Sequence, residues 1–171
     1  MIVTRILSID IGLRNTGWVV VKESHQKVKI EDFGCIKTKP NKKKKVSLDN
    51  MDNVRYITRE LMYIIEKSKP SYIVAELPTS GAKSAKAIVA MALSSAIIAC
   101  IVEILEIDVV WVSPMKSKQD FIGQRSGDKD LAMAKTRELY PDVVWPKYKN
   151  VFEHVADAVS AYYSAKVSNL I

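Results

Sequence analysis

Cysteine is scarce in this chain, and what is missing along with it narrows the field. Cys35 and Cys100 are its two cysteines among 171 residues. No CxxC spacing and no cysteine-histidine cluster accompanies them, which argues against a zinc site or a disulfide framework and for a reducing compartment. Glycine is sparse too, at six residues. Sugar kinases and actin-like ATPases open with an Asp-Gly-Thr-Gly phosphate turn, but they need a second such domain and a further glycine-rich motif. The length and the glycines leave no room for either. The opening run lacks the apolar core and cleavage site of a secretory signal, because Arg5 and Asp10 interrupt it, so a cytoplasmic location is expected. The uncharged stretch from Ala87 to Val102 is short for a membrane span, rich in alanine, and contains Ser94 and Ser95, so no membrane is expected. Acids are the minority charge. Nineteen Asp and Glu against 26 Lys and Arg leave a net charge of +7, which favours a polyanionic partner.

What is present suits one domain over residues 1–171, long enough to bury its own core. An apolar run from Arg5 delivers Asp10 to the end of a strand, and Gly12 and Gly17 bracket a tight turn into a second β-branched run. A charge at the end of a buried strand requires a partner, which marks Asp10 as a cation ligand. Strands over Thr16–Lys22 and Lys27–Lys37 complete an antiparallel meander. A loop with the dense run Lys42–Lys45 follows, and Ser47 is positioned to cap a helix continuing to about Lys67. Ser71 to Glu76 is a short apolar run that again ends in a carboxylate. A right-handed crossover places it parallel to the first strand, so that Asp10 and Glu76 meet at one sheet edge.

The spacing then predicts a helix over 82–105, apolar nearly all round and therefore sandwiched in the core or shared with a second subunit. A strand follows over 108–112, then helices over 114–122, 128–140 and 152–167, the last carrying His154 and Asp157 on one face. Three antiparallel strands, a helix, a strand, a helix, a strand and further helices make a ribonuclease H-like α/β fold. Its five-stranded mixed sheet has three antiparallel strands and then two parallel ones, flanked by helices.

Along nearly its whole length, from Arg5 to about Ala165, the chain resembles the RuvC family of Holliday-junction resolvases. Asp10 with Gly12, Thr16 and Gly17 is similar to that family's first motif. Glu76 is similar to its second acid, and His154-x-x-Asp157-Ala to its third. Lys118 and Lys129 fall where the family keeps two basic catalytic-site residues. The resemblance implies a structure-selective endodeoxyribonuclease that resolves four-way DNA junctions, as a homodimer making paired nicks. Ile11 stands where many relatives have proline, and Leu77–Gly81 lacks the aromatic residue the family often carries there. The lysine run Lys42–Lys45 and His154 point to a phage or viral branch, acting in the host cytoplasm.

Phosphodiester hydrolysis needs a nucleophile and charge relief at the phosphate, which two Mg²⁺ ions supply from hard oxygen ligands, with Mn²⁺ as the alternative ion. Asp10 is expected to bridge them, with Glu76 and Asp157 holding one each. His154 is a further ligand or a proton mover, and Lys118 and Lys129 stabilise developing charge. Lys83, Lys86, Lys42, Lys43, Lys44, Lys45 and Arg125 are the candidates for gripping the DNA backbones. The alternatives are a nuclease of the same fold acting on other branched DNA or, like YqgF, on RNA, and a non-catalytic junction-binding protein.

Overall fold

A computed structural model describes residues 3–24, 27–77, 84–125 and 127–171. The strands are β1 (Thr4–Asp10), β2 (Asn15–Ser24), β3 (Lys27–Lys37), β4 (Tyr72–Glu76) and β5 (Asp108–Val112). Interleaved with them are the helices α1 (Val46–Ser68), α2 (Ala85–Leu105), α3 (Pro114–Ile122), α4 (Lys129–Leu139) and α5 (Lys149–Val167). The strands form one sheet in the order β3-β2-β1-β4-β5. β1, β2 and β3 run antiparallel as a meander, and β4 and β5 continue parallel to β1.

Alternation along each strand splits the core into two layers. Leu7, Ile9 and Ile73 face α1 and α2, where Ile57, Leu61 and Ile98 close over them. Ile6, Val19, Val21 and Val74 face the other way, onto Phe121 of α3 and Ala158, Ala161 and Ala165 of α5. Small residues let α5 lie close to the strands, and the Ser8 hydroxyl donates to the Ala158 carbonyl at 2.7 Å across the buried seam.

Several boundaries differ from the sequence reading, each for a local reason. Gly17 does not flank the first turn but lies within β2, which begins at Asn15 and pairs with β1 from Gly17 onward, leaving Ile11–Arg14 as the turn. Ser47 does not cap α1. The helix starts at Val46 after Lys45, with no side-chain cap, and Asp49 supplies the acid of the first turn. The helix expected from Ala82 begins at Ala85, because Ser84 is extended and its hydroxyl accepts the Ala87 N–H. Asp128 is the cap of α4 rather than its first residue, accepting from the Asp130 and Leu131 N–H groups. α5 starts at Lys149, three residues before Phe152, since the Tyr148 carbonyl already accepts from the Val151 and Phe152 N–H groups.

α2 departs furthest from a core helix. By length and composition alone it is apolar enough to cross a membrane, yet its inner face packs on α1 and the sheet through Ile97, Ile98, Ile101 and Val102. Its outer face, with Ile88, Val89 and Ile104, is exposed.

Candidate active site

The carboxyl ends of β1 and β4 set the site. Ile9 pairs with Ala75, and one residue further Asp10 and Glu76 end their strands side by side. After Asp10 the chain turns sharply. The Thr16 hydroxyl donates to the Gly12 carbonyl at 2.8 Å, and a Cβ on Gly12 would lie 2.6 Å from the Asn15 carbonyl oxygen.

Gly17, paired with Asp10 across the ladder, opens the way for α5. A Cβ at this position would sit 2.0 Å from the carbonyl oxygen of His154, so no other residue admits the helix at this distance. That approach brings His154 Nδ1 to 3.0 Å from Asp10 Oδ2. Asp157, three residues on, projects from the same helix face. Asp10, His154 and Asp157 each offer one ligand atom to a group in which all lie within 4.8 Å of one another. Among the described residues the tight group is therefore two carboxylates and an imidazole, with Glu76 beside it and not within it.

Glu76 is 6% exposed, and its Oε1 is buried with no hydrogen-bond partner. Burial, and then the charges of Asp10 and Asp157, push its carboxyl up to about 8, against the smaller pull of Ser117 and Lys118. Asp157 rises to about 6, first by burial and then by Asp10, while Lys118, His154 and Lys129 oppose the shift. The imidazole of His154 is raised by its hydrogen bond to Asp10, partly offset by burial. Crowded acids that resist ionisation, one with an orphaned oxygen, are a donor set suited to a hard divalent cation.

Lys118 lies across Gly127, where a Cβ would meet its Cε and Nζ at 2.9 Å, and its charge is felt at both Glu76 and Asp157. Lys129 Nζ is 3.0 Å from Glu153 Oε2, and Glu153 Oε1 is 3.6 Å from His154 Nε2. Sequence reasoning missed Glu153. Its spacing of four from Asp157 on a helix was the signal that could have found it.

Of the remaining basic candidates, the lysine run lies at the same sheet edge. β3 runs parallel to β1, so Lys42–Lys45 follow it at the Asp10 end, all exposed, with Lys44 paired to Asp52. Lys86 is exposed in the first turn of α2, and Arg125 is exposed in the connection between α3 and α4. Lys83 lies outside the described residues, as do residues 78–81 of the loop after β4. A groove of about 760 Å³ between β3 and α1, walled by Trp18, Tyr56 and Tyr63, contains none of the site acids.

The sequence profile of the family described as crossover junction endodeoxyribonuclease RuvC matches residues 6–161. Among solved structures, the chain is similar to Thermus thermophilus RuvC in complex with Holliday junction substrate, at 16% identity and a TM-score of 0.75, with 96% of each chain covered. It is also similar to the yeast mitochondrial Holliday junction resolvase Ydc2, at 15% identity and a TM-score of 0.61 over 97% of this chain and 81% of that one. A third similar structure is the fowlpox virus resolvase with its substrate Holliday junction DNA, at 16% identity and a TM-score of 0.55 over 98% and 99% of the two chains. No curated protein sequence matches the chain. At these identities the structural likeness establishes the fold, which is the ribonuclease H-like one expected from the order of elements.

Proposed function

Because the chain belongs to the RuvC family of crossover junction endodeoxyribonucleases, we propose that it resolves four-way DNA junctions by hydrolysing phosphodiesters at the cluster formed by Asp10, Glu76, His154 and Asp157. The observation that carries this reading is the convergence of Asp10, His154 and Asp157 within 4.8 Å, beside a buried Glu76 with an unpartnered oxygen. These four residues would hold two Mg²⁺ ions, with Mn²⁺ as the alternative. Divalent ions held there supply water activation and charge neutralisation for hydrolysis.

The protein's own groups do the rest. Asp10 keeps a proton on the imidazole of His154, which raises the histidine's basicity and fixes its ring toward the cluster. Lys118 brings positive charge over the acids from the α3 side, close to where a phosphate must sit. Lys129, tethered by Glu153, is held at the entrance on the α4 side. Lys42–Lys45, Lys83, Lys86 and Arg125 grip the backbones of the junction arms, as expected for a chain of net charge +7.

A four-way junction presents two strands of like polarity, and two sites are needed to cut both. The exposed apolar face of α2 fits a second copy of this chain, since a helix this apolar requires cover. The dimer works in the cytoplasm, on DNA.

The test is Asp10→Asn, which keeps the shape of the side chain and removes its charge. Cleavage of a labelled four-way junction in Mg²⁺ falls by roughly a hundredfold or more, while junction binding in EDTA changes by no more than about threefold. A variant that still cuts at the wild-type rate removes the metal role. Linear, flap and three-way DNA, and a structured RNA, run beside the junction establish its rank as substrate.

A further inference from the structure

The run Lys42–Lys45 connects a strand to a helix, and an ordinary solvated connection of that kind needs nothing beneath it. Here a nearly inaccessible acid lies beneath it. Asp49, 6% exposed, uses both carboxylate oxygens on groups from outside its own helix. Oδ2 accepts from Arg14 Nη2 at 2.6 Å, and Oδ1 accepts from the Asn41 backbone N–H at 3.0 Å. Asn53, one turn along α1, adds a longer contact to Oδ2 at 3.4 Å.

Both outside partners matter for where they sit. Arg14 belongs to the turn that follows Asp10. Asn41 opens the lysine run, and its side chain accepts from the Lys43 N–H at 3.0 Å while its carbonyl accepts from the Lys44 N–H at 3.1 Å. The stem of the loop is sewn to the same turn, since Thr38 donates through its N–H to the Arg14 carbonyl at 3.0 Å and through its hydroxyl to the Leu13 carbonyl at 2.8 Å. Four consecutive lysines repel one another, and a mobile loop would separate them at no cost. This one is bound at its base to the turn that presents Asp10.

We propose that Asp49 is a positioning residue, which through Arg14 and Asn41 fixes Lys42–Lys45 beside the Asp10 turn as a preformed clamp on the phosphate backbone of one DNA arm. The inference rests on the nuclease reading above and deepens it, because it assigns the clamp's geometry to an acid that never touches DNA. Pre-organised charges hold phosphates without the ordering cost that a mobile loop would incur.

The experiment is a cycle of four proteins: the wild type, Asp49→Asn, the neutral-loop variant K42Q/K43Q/K44Q/K45Q, and their combination. Affinity for a labelled four-way junction is measured in EDTA across a salt series, and single-turnover cleavage is measured in Mg²⁺ at saturating junction. Asp49→Asn weakens binding by roughly five- to twentyfold and flattens the dependence of log Kd on log salt. The saturating rate changes by less than about twofold, and in the neutral-loop background the substitution changes Kd by less than about twofold. Equal losses in both backgrounds, or an unchanged salt slope, overturn the proposal, because a merely structural acid would produce them. Should Asp49→Asn melt too low to assay, Thr38→Val removes only the hydroxyl bond to Leu13 and carries the same cycle, with a loss of roughly two- to fourfold confined to the charged loop. A wild type that binds junctions with steep salt dependence but does not cut them removes the nuclease reading and leaves the clamp standing. A wild type that cuts, with no coupling between Asp49 and the lysines, removes the clamp alone.

Discussion

α5 and α2 are similar in length and opposite in fate. α5 buries ten of its 19 residues, while α2 buries five of its 21 although it is the more apolar of the two. The difference lies in what covers each helix: α5 lies against all five strands and against α3 and α4, whereas α2 has α1 and one side of the sheet. Ala156, Ala158, Ala161 and Ala165 bring α5 down onto the strands, and serine hydroxyls bridge the seams that remain, as between Ser117 and Ser160 at 2.8 Å. α2 has alanines of its own, but it packs through one face, on α1 and the sheet, and its outer face meets nothing in the single chain among the described residues, so that Ile104 stands 75% exposed. Each half of the molecule thus carries an unsatisfied surface of its own kind. The α5 half gathers like charge at Asp10, Glu76 and Asp157, and the α2 half displays apolar area. A cation would answer the first and a second apolar surface the second.

The α5 half is disrupted most severely at Gly17. Alanine there places a carbon 2.0 Å from the His154 carbonyl oxygen, so α5 must withdraw from β2 and take His154 and Asp157 with it. Displacement of that size costs roughly a hundredfold in single-turnover cleavage, with a lowered Tm. A Gly17→Ala enzyme that cuts junctions at the wild-type rate would remove the argument that this close approach builds the site.

On the other half, Ile104→Glu adds a charge to a side chain already in solvent and leaves the fold of the single chain intact. Self-association should weaken by about tenfold or more, as read by sedimentation over a concentration series. Paired nicking should decline with it, while nicking of one strand persists. A wild-type chain that stays monomeric at micromolar concentration, or a variant that associates as well as the wild type, would leave the exposed face without this partner.

The two halves were unequally legible in the sequence. The sheet could be read because Asp10 and Glu76 each end an apolar run, and a right-handed crossover then leaves one arrangement for strands one and four. The candidate cluster was readable in kind from the same acids and the His154-x-x-Asp157 spacing. Which atoms cluster was not, because the place of Glu76 beside the group depends on how deep α5 sits. That depth is set by Gly17 meeting His154, a contact between residues far apart along the chain. Gly17 read as a turn glycine, since sequence shows that a side chain is missing and not what occupies its space. α2 was opaque for the opposite reason, because a helix apolar on every side carries no periodicity to distinguish the buried face from the bare one. The ties from Asp49 to Arg14 and Asn41 left no trace beyond single polar residues of ordinary appearance.

The finest test of the comparison is the pH dependence of stability, which should belong to the α5 half alone. Glu76 titrates at about 8 in the folded chain against an ordinary value of 4.5, and Asp157 at about 6 against 3.8. An acid whose pKa is raised by folding binds more protons folded than unfolded between those two values. Stability therefore falls as pH rises through that window, by at most roughly 1.4 kcal/mol per pH unit for each group, and the loss is complete only above the folded value. Between pH 6 and 8 the metal-free protein should lose several degrees of Tm, carried by Glu76 and by His154, whose raised imidazole gives up its proton in the same direction, because Asp157 has by then largely ionised. Glu76→Gln, which cannot ionise, should make the profile shallower and melt higher than the wild type at pH 8 in EDTA, the remaining slope belonging to His154 and Asp157. Added Mg²⁺ should raise the wild type at pH 8 and do less for the variant, since the cation favours the ionised carboxylates that the α5 face otherwise resists. Ile104→Glu should shift the whole profile without changing its slope, because nothing on the exposed face of α2 titrates with those acids. A slope unchanged by Glu76→Gln would place the buried charge elsewhere and remove the reason for seating a cation beside β4.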